Sequence, residues 1–350
     1  MLEPVSRDDG CVVRMIDVAR EAGVSAMTVS NVINGRPGVS AETRLRVLAT
    51  ISKLGYQVNL AARHLRAGRT GAVGLIVPDI DRPYYAQLAS RLANGVEKRG
   101  LHLVVERTGG DAERELEAIS FGRLRMYDGV VVSPLRVDAA DLDQLRFETP
   151  VVFIGERPVP KTFDHVMMDN VGGARQATRH LLTTGSRRVA IIGGRHDDHV
   201  DDMPSLRTRG YRQAHVELGI DLDEELVVES ESFDPTAGFR AVKRLHESGV
   251  AFDGVFALTD AAAMGALRAL ADLRLDVPRD VQVIGFDNGK ETEFLVPRLS
   301  SVEPGNQAMA DRVLELLEQR VAAAGDGAKR APDPVTTIVT AQLALRESTR

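Results

Sequence analysis

Hydrophobic positions follow two different rhythms along this chain. Between residues 15 and 54 they recur every three or four residues in short pieces separated by glycine and polar turns, which predicts helices and no strand. From Gly71 onward, apolar runs of four to six residues alternate with longer amphipathic stretches. The runs lie at 73–77, 101–105, 129–132, 151–154, 189–192, 254–258 and 281–286. The helical patterns lie near 87–99, 113–125, 174–184, 205–218, 237–248, 261–273 and 307–323. A Gly-, Asp-, Lys- and Pro-rich linker at 324–334 precedes a last β-like run at 336–345. Short β-rich runs alternating with helices predict βαβ units and parallel sheets buried on both faces.

That number of strands is too large for one small sheet. A break near Asp169-Asn170, followed by Gly172-Gly173, divides the body into two halves that open alike. Each has an apolar strand and then a polar loop, at 74–79 and at 190–195. Two doubly wound lobes facing each other leave a cleft at the carboxyl ends of their strands, where such sheets bind small molecules.

The head reads as a helix-turn-helix. Ile16, Val18, Ala19 and Ala22 give the first helix an inner face, and the small Ala19 lets a second helix cross closely. Gly23 permits a left-handed turn and Ser25 caps the next helix. Val29, Val32 and Ile33 form the buried stripe of that helix. Ala26, Met27, Ser30 and Asn31 are left on the opposite, exposed stripe, with Thr28 beside it. Short polar and apolar groups near a helix start suit the major groove, although Met27 also fits partial burial. Ser40 and Glu42 start a third helix, whose Val47, Leu48, Ile51 and Leu54 close the small core. Arg36, Arg44, Arg46 and Lys53 surround it and could neutralise phosphates.

Charge sharpens this division. The 350 residues carry a formal net charge of -6, which taken whole argues against a polyanion partner. Residues 1–70 nevertheless hold ten basic and six acidic groups, against 34 and 44 in the remainder. A basic head on an acidic body predicts that only the head meets nucleic acid. No stretch approaches the roughly 20 apolar residues that cross a bilayer. The polar start, with Glu3, Arg7, Asp8 and Asp9, is not a secretion signal. The single Cys11 has no partner for an internal disulfide, so a reducing cytoplasm is the expected setting.

In order along the chain, Asp17-Val18-Ala19, Ala22-Gly23-Val24-Ser25, Thr28-Val29-Ser30 and the segment from Val32 to Asn34 resemble the headpiece of the lactose/galactose-repressor (LacI/GalR) family. The resemblance continues through Val77-Pro78-Asp79 with Pro83-Tyr84-Tyr85, Asp128-Gly129-Val130, Asp169-Asn170, Arg207 with Gly210-Tyr211, Thr259-Asp260, Gly285-Phe286-Asp287 and Arg346-Glu347-Ser348-Thr349. It implies an α helix-turn-helix headpiece at 13–58, a hinge helix at 59–69 and an α/β body at 70–350 of periplasmic-binding-protein-like architecture. The body's N-lobe is expected at about 70–168 plus 303–330, and its C-lobe at about 169–302 plus 335–348.

Function follows as an expectation from the same resemblance. The chain is read as a dimeric, sequence-specific transcriptional regulator, a repressor in type, that binds a palindromic operator and is controlled allosterically by a carbohydrate-type effector. Positions Ser25, Ala26, Met27, Thr28, Ser30, Asn31 and Asn34 are assigned to DNA. Many family members carry Arg where Asn31 stands, so the operator sequence is not transferred; Asn pairs bidentately with adenine. In the hinge, Asn59, Ala62 and Leu65 are assigned to the minor groove, with Leu65 as the wedge that unstacks a base step; packing of Leu65 on the body is the alternative. Two turns of helix are unstable alone, so the hinge is expected to fold on DNA. Tyr84, Tyr85, Arg207, Phe233, Asp260 and Asp287 are assigned to the effector, Arg207 and the acids for hydroxyls and Phe233 for stacking. Asp260 equally fits a cap on the following helix.

No cofactor, metal or catalytic constellation is expected. His196, Asp197, Asp198 and His199, with Asp201 and Asp202, read as a solvated acidic loop. No phosphate-binding Gly-x-x-x-x-Gly-Lys-Ser/Thr loop and no nucleophile elbow occur in the sequence. A transport solute receptor shares the body's architecture, but the helix-turn-helix counts against it; an enzyme on a doubly wound fold is a more distant rival.

Overall fold

The computed structural model describes residues 13–33, 35–56, 69–145, 147–197, 199–325 and 332–350. Asn34, Asn59, Ala62 and Leu65 lie outside the described residues, as do Cys11 and Asp198. The chain divides into two compact units, Met1–Thr70 and Gly71–Arg350.

In the smaller unit, α1 (Met15–Ala22), α2 (Ala26–Ile33) and α3 (Ala41–Leu54) pack around Val18, Ala19, Ala22, Val29, Val32 and Val47. Gly23 ends α1 at φ +65°, a left-handed conformation that glycine adopts without steric cost. Ser25 Oγ then accepts the Thr28 N–H at 3.1 Å and caps α2. Two positions read as core are not. Ile16 is 48% exposed and Leu48 is 47% exposed. The inward stripe of α3 is Val47, Thr50, Ile51 and Leu54, at i, i+3, i+4 and i+7, and one residue beyond Val47 is a 100° turn away from it. Thr50 tolerates the inward place because its hydroxyl donates to Arg46 O at 2.9 Å. Ala26, three residues before Val29, is half-buried and touches the core from the side of the open stripe, with the same intermediate exposure as Ser30 and Asn31.

In the larger unit, the described residues form two six-stranded sheets. The first holds β1 (Ala72–Val77), β2 (His102–Arg107), β3 (Gly129–Val132), β4 (Val151–Ile154), β5 (Asp164–Met168) and β11 (Thr336–Val339), in the order β11-β5-β4-β3-β1-β2 and all parallel. The second holds β6 (Val189–Ile192), β7 (Val227–Val228), β8 (Gly254–Ala257), β9 (Gln282–Phe286), β10 (Ser300–Glu303) and β12 (Gln342–Ala344). Its order is β12-β10-β9-β8-β6-β7, parallel except for β12 against β10. β1 sits between β2 and β3, and β6 between β7 and β8, so each sheet reverses its winding there and opens a crevice at those carboxyl ends.

The first lobe's helices are α4 (Pro83–Glu97), α5 (Ala112–Ala118), α6 (Phe121–Leu124) and α7 (Ala139–Gln144). The second carries α8 (Asn170–Thr183), α9 (Met203–Leu218), α10 (Pro235–Glu247) and α11 (Asp260–Asp272). α12 (Asn306–Gly325) returns to pack on α4 of the first lobe. The single helix read over 113–125 is two, α5 and α6.

Central strands β1, β3, β4, β6, β8 and β9 are covered on both faces, which is why they stand out as continuous apolar runs. β5 and β10 were hidden by polar residues that are buried but satisfied. Asp164, 1% exposed, accepts from Arg320 Nε at 2.6 Å, from Arg320 Nη2 at 2.9 Å and from Val335 N–H at 2.9 Å. The same contacts correct the expected C-lobe segment 335–348. They draw the start of β11 to β5, so 336–339 belongs to the first sheet and only β12 joins the second.

α10 and α11 cross at glycines. A Cβ on Gly265 would lie 1.8 Å from Pro235 O, and one on Gly238 would lie 1.9 Å from Ala262 O. Gly265→Ala is therefore expected to destabilise the body by about 1–3 kcal/mol, as overpacking against backbone does, read as a lower urea midpoint. No helix among the described residues is long and apolar enough to cross a membrane.

Candidate functional site

On the head, α2 presents Met27, 67% exposed, with Ser30 and Asn31 at i+3 and i+4 on the same side. Ser25 Oγ also lies 2.9 Å from Thr28 Oγ1, so these two side chains are already paired at the helix start. Of the four surrounding cations, two are engaged within the fold. Arg44 donates to Val32 O at 3.4 Å and to Arg36 O at 3.3 Å, holding the end of α2 to the following turn. Lys53 Nζ donates to Glu21 Oε1 at 2.7 Å and ties α3 to α1. Arg36 and Arg46 are exposed.

In the body, the strand carboxyl ends of both lobes open on one cavity of about 530 Å³. Tyr84, Tyr85, Arg207, Phe233, Asp260 and Asp287 all line it. Pro83 starts α4 and fixes its first turn, which sets the two tyrosines at the wall. Their rings meet edge-on with centroids 5.0 Å apart. Tyr85 Oη lies 3.2 Å from Ser133 Oγ, whereas the buried Tyr84 Oη finds no partner among the described residues. Phe233 precedes the N-cap Asp234 of α10, and its carbonyl accepts the Thr259 hydroxyl at 2.6 Å.

Arg207, in the second turn of α9, is 2% exposed. Its Nε donates to Asn170 Oδ1 at 2.8 Å and its Nη1 to Leu258 O. Its guanidinium carbon stands 3.4 Å from the centre of the Phe286 ring, and Nη2 is 3.8 Å from Asp287 Oδ1. Burial lowers its pKa, and Asp287 and Glu156 oppose that shift. Asp287 follows β9 at φ +110°, a conformation L-residues rarely adopt. Burial pushes its pKa up to about 7 despite the attraction of Arg207. Asp260 is not the cap of α11. That role belongs to Thr259, whose Oγ1 accepts the Ala262 N–H at 3.1 Å. Asp260 instead accepts from Gly289 N–H at 2.8 Å and from Ser301 Oγ at 2.6 Å. Burial raises its pKa and the charge of Asp287 adds to the rise.

Away from the cavity, His196 Nδ1 lies 3.3 Å from Glu224 Oε2, and Asp202 caps α9 by accepting the Ser205 N–H at 2.9 Å. No cluster of metal-ligating side chains exists among the described residues.

Residues 14–59 match the family model described as bacterial regulatory proteins, lacI family, and residues 178–349 match that of a periplasmic binding protein-like domain. The transcriptional regulator CelR of Thermobifida fusca is 35% identical over 342 residues, covering 95% of this chain and 96% of its own. The chain belongs to the LacI family. Catabolite control protein A of Priestia megaterium is 31% identical over 83% of this chain and 87% of its own. A solved complex of CelR with cellobiose is 32% identical and superposes with a TM-score of 0.68, over 96% of this chain and 99% of that one. This LacI-family member is a transcriptional regulator with a helix-turn-helix DNA-binding head and a periplasmic-binding-protein-like body.

The LacI-family cleft also contains a residue that sequence reasoning missed. Glu156 lines the cavity two residues past β4, and burial raises its pKa. A signal for it existed, because Asp79 and Asp287 also stand just beyond apolar strands, where the sheets open. Ser301 was equally unmarked; its hydroxyl matters only because β10 carries it to Asp260.

Proposed function

We propose that this regulator represses transcription as a homodimer on a palindromic operator, and that a carbohydrate-type effector bound in the inter-lobe cleft changes its operator affinity. The observation that carries the reading is the convergence of Arg207, Asp260 and Asp287 with Tyr84, Tyr85 and Phe233 on one cavity in a chain with a helix-turn-helix head. Planar charged groups bond sugar hydroxyls in pairs, and aromatic faces take the C–H side of the ring. The CelR–cellobiose complex supports the ligand class. The head is taken as 13–58, the hinge as 59–69 and the body as 70–350, with Asn59, Ala62 and Leu65 of the hinge in the minor groove.

Two apolar areas support a second copy as partner. The edge strand β2 exposes Val104 and Val105, and in the other lobe Phe294 and Val296 are 83% and 96% exposed. Exposed edges and large apolar side chains are what a partner subunit covers. Ala26, Met27 and Asn31 read base edges, and Ser25, Thr28, Ser30 and Asn34 complete the DNA-contacting set. Such a protein acts in the cytoplasm, where its operator is.

Gel-shift titration of the full chain against promoter fragments from its own genome tests the reading. Operator affinity should fall steeply with salt, and Asn31→Ala should relax preference at one base pair of each half-site by about 1–3 kcal/mol. Binding to none of the fragments, with and without sugars, overturns the proposal.

A further inference from the structure

The cleft holds seven carboxylates and two guanidiniums among its lining residues, with no lysine or histidine. The guanidiniums do not redress this balance. Arg207 is hydrogen-bonded through Nε to Asn170 and through Nη1 to Leu258 O, and its charge is already paired with Asp287, which leaves fork N–H groups for a hydroxyl but little uncompensated charge for an anion; Arg82 is exposed at the rim. The acids differ in what they have left to offer. Asp260 already accepts one hydrogen bond on each oxygen, from Gly289 and from Ser301, and Asp234 caps α10. Glu156 and Asp287 line the cavity too; Glu156 accepts from its own backbone N–H, and Asp287 faces Arg207 at 3.8 Å. Once ionised, a carboxylate only accepts hydrogen bonds and demands a donor from the ligand; burial keeps the proton on Asp287 up to about pH 7, so for that acid the demand holds above that pH. Phosphate and carboxylate groups of a ligand likewise only accept, and they bring a like charge. A hydroxyl can donate to Glu156 or Asp287, and an ammonium can do so with charge attraction. Tyr84 Oη, buried beside these acids, has no partner among the described residues and can serve a hydroxyl or ring oxygen.

We infer that the cleft selects uncharged or amine-bearing sugars and excludes phosphorylated sugars and uronates, because acids outnumber cations in its lining and its buried cation is already paired with Asp287. This rests on the carbohydrate reading above and narrows it to a charge class.

Calorimetric titration of the full chain, above the pH of about 7 at which Asp287 gives up its proton, tests it with a panel of hexoses and disaccharides, each hexose accompanied by its 2-amino, 6-phosphate and uronate derivatives. At least one neutral or amino sugar should bind, and the anionic derivatives of that sugar should bind at least tenfold more weakly. Glu156→Gln keeps the shape and removes the charge, so it should narrow that neutral-to-anionic ratio at least threefold; exclusion by size would leave the ratio unchanged and overturn the inference. An anionic derivative that binds as tightly as its neutral parent also overturns it, while leaving the carbohydrate reading intact. If no member of the panel binds, both fail together, and operator binding, measured separately, stays as the test of the regulator itself.

Discussion

Arg207→Ala is expected to lower the stability of the 71–350 unit by about 3–5 kcal/mol and to abolish the ligand response. The guanidinium is nearly inaccessible, and its removal leaves several partners stranded. Asn170 Oδ1 and the Leu258 carbonyl lose a donor, Asp287 loses its nearest cation, and the Phe286 ring loses the group stacked on it. A buried acid without its counter-charge is the costly part, since the alanine cavity supplies no compensating dipole. Urea unfolding monitored on the body measures the stability loss. Arg207→Lys separates stability from recognition. Lysine keeps the charge but not the planar fork, so folding should suffer less while sugar affinity still falls at least tenfold. Operator binding without sugar should persist in both variants, because the head forms its own core. A variant that binds sugar normally would show that Arg207 serves the fold alone.

Raising the pH from about 4 to about 7 is expected to weaken the body, through the buried pair Asp287 and Asp260. In the unfolded chain the Asp287 carboxyl ionises near its ordinary value of 3.8, whereas in the fold burial holds the proton until about pH 7. Between those limits the native state binds one proton more than the unfolded state, so stability falls as pH rises and then levels off. Asp260 shifts in the same direction, through its burial and the charge of Asp287, and adds to the slope. Carboxyls shifted downward, such as Asp223 and Glu347, oppose this weakly because they face solvent. Asp287→Asn cannot take up the proton and should flatten the dependence. The comparison is of urea midpoints for the two proteins between pH 4 and pH 8. Parallel curves would place the titrating proton elsewhere.

Several site residues were legible because local chemistry marks them. Gly23, Ser25 and the Val29–Val32 spacing define the turn and second helix without reference to anything distant. Arg207, Asp260 and Asp287 stood out through their place near strand ends and through family resemblance. Glu156 stands at the same kind of place, two residues past β4, but none of the family motifs includes it. Asp260 had two readings that only the position of Thr259 separates, because adjacent residues can both reach the first turn of a helix.

What the amino-acid order determined by itself is the local grammar: three capped helices with one apolar stripe each, then βαβ units whose central strands are apolar on both faces. Hydrophobic periodicity and caps act within a few residues, so they need no knowledge of the rest of the chain. Only the tertiary structure decided which lobe receives residues 336–339 and which acids are hydrogen-bonded within the protein. Those outcomes depend on groups far apart in sequence, such as Asp164 with Val335 and Asp260 with Ser301, meeting at hydrogen-bond distance. The cost of burying a charge is set by that meeting, and no window of sequence contains both partners.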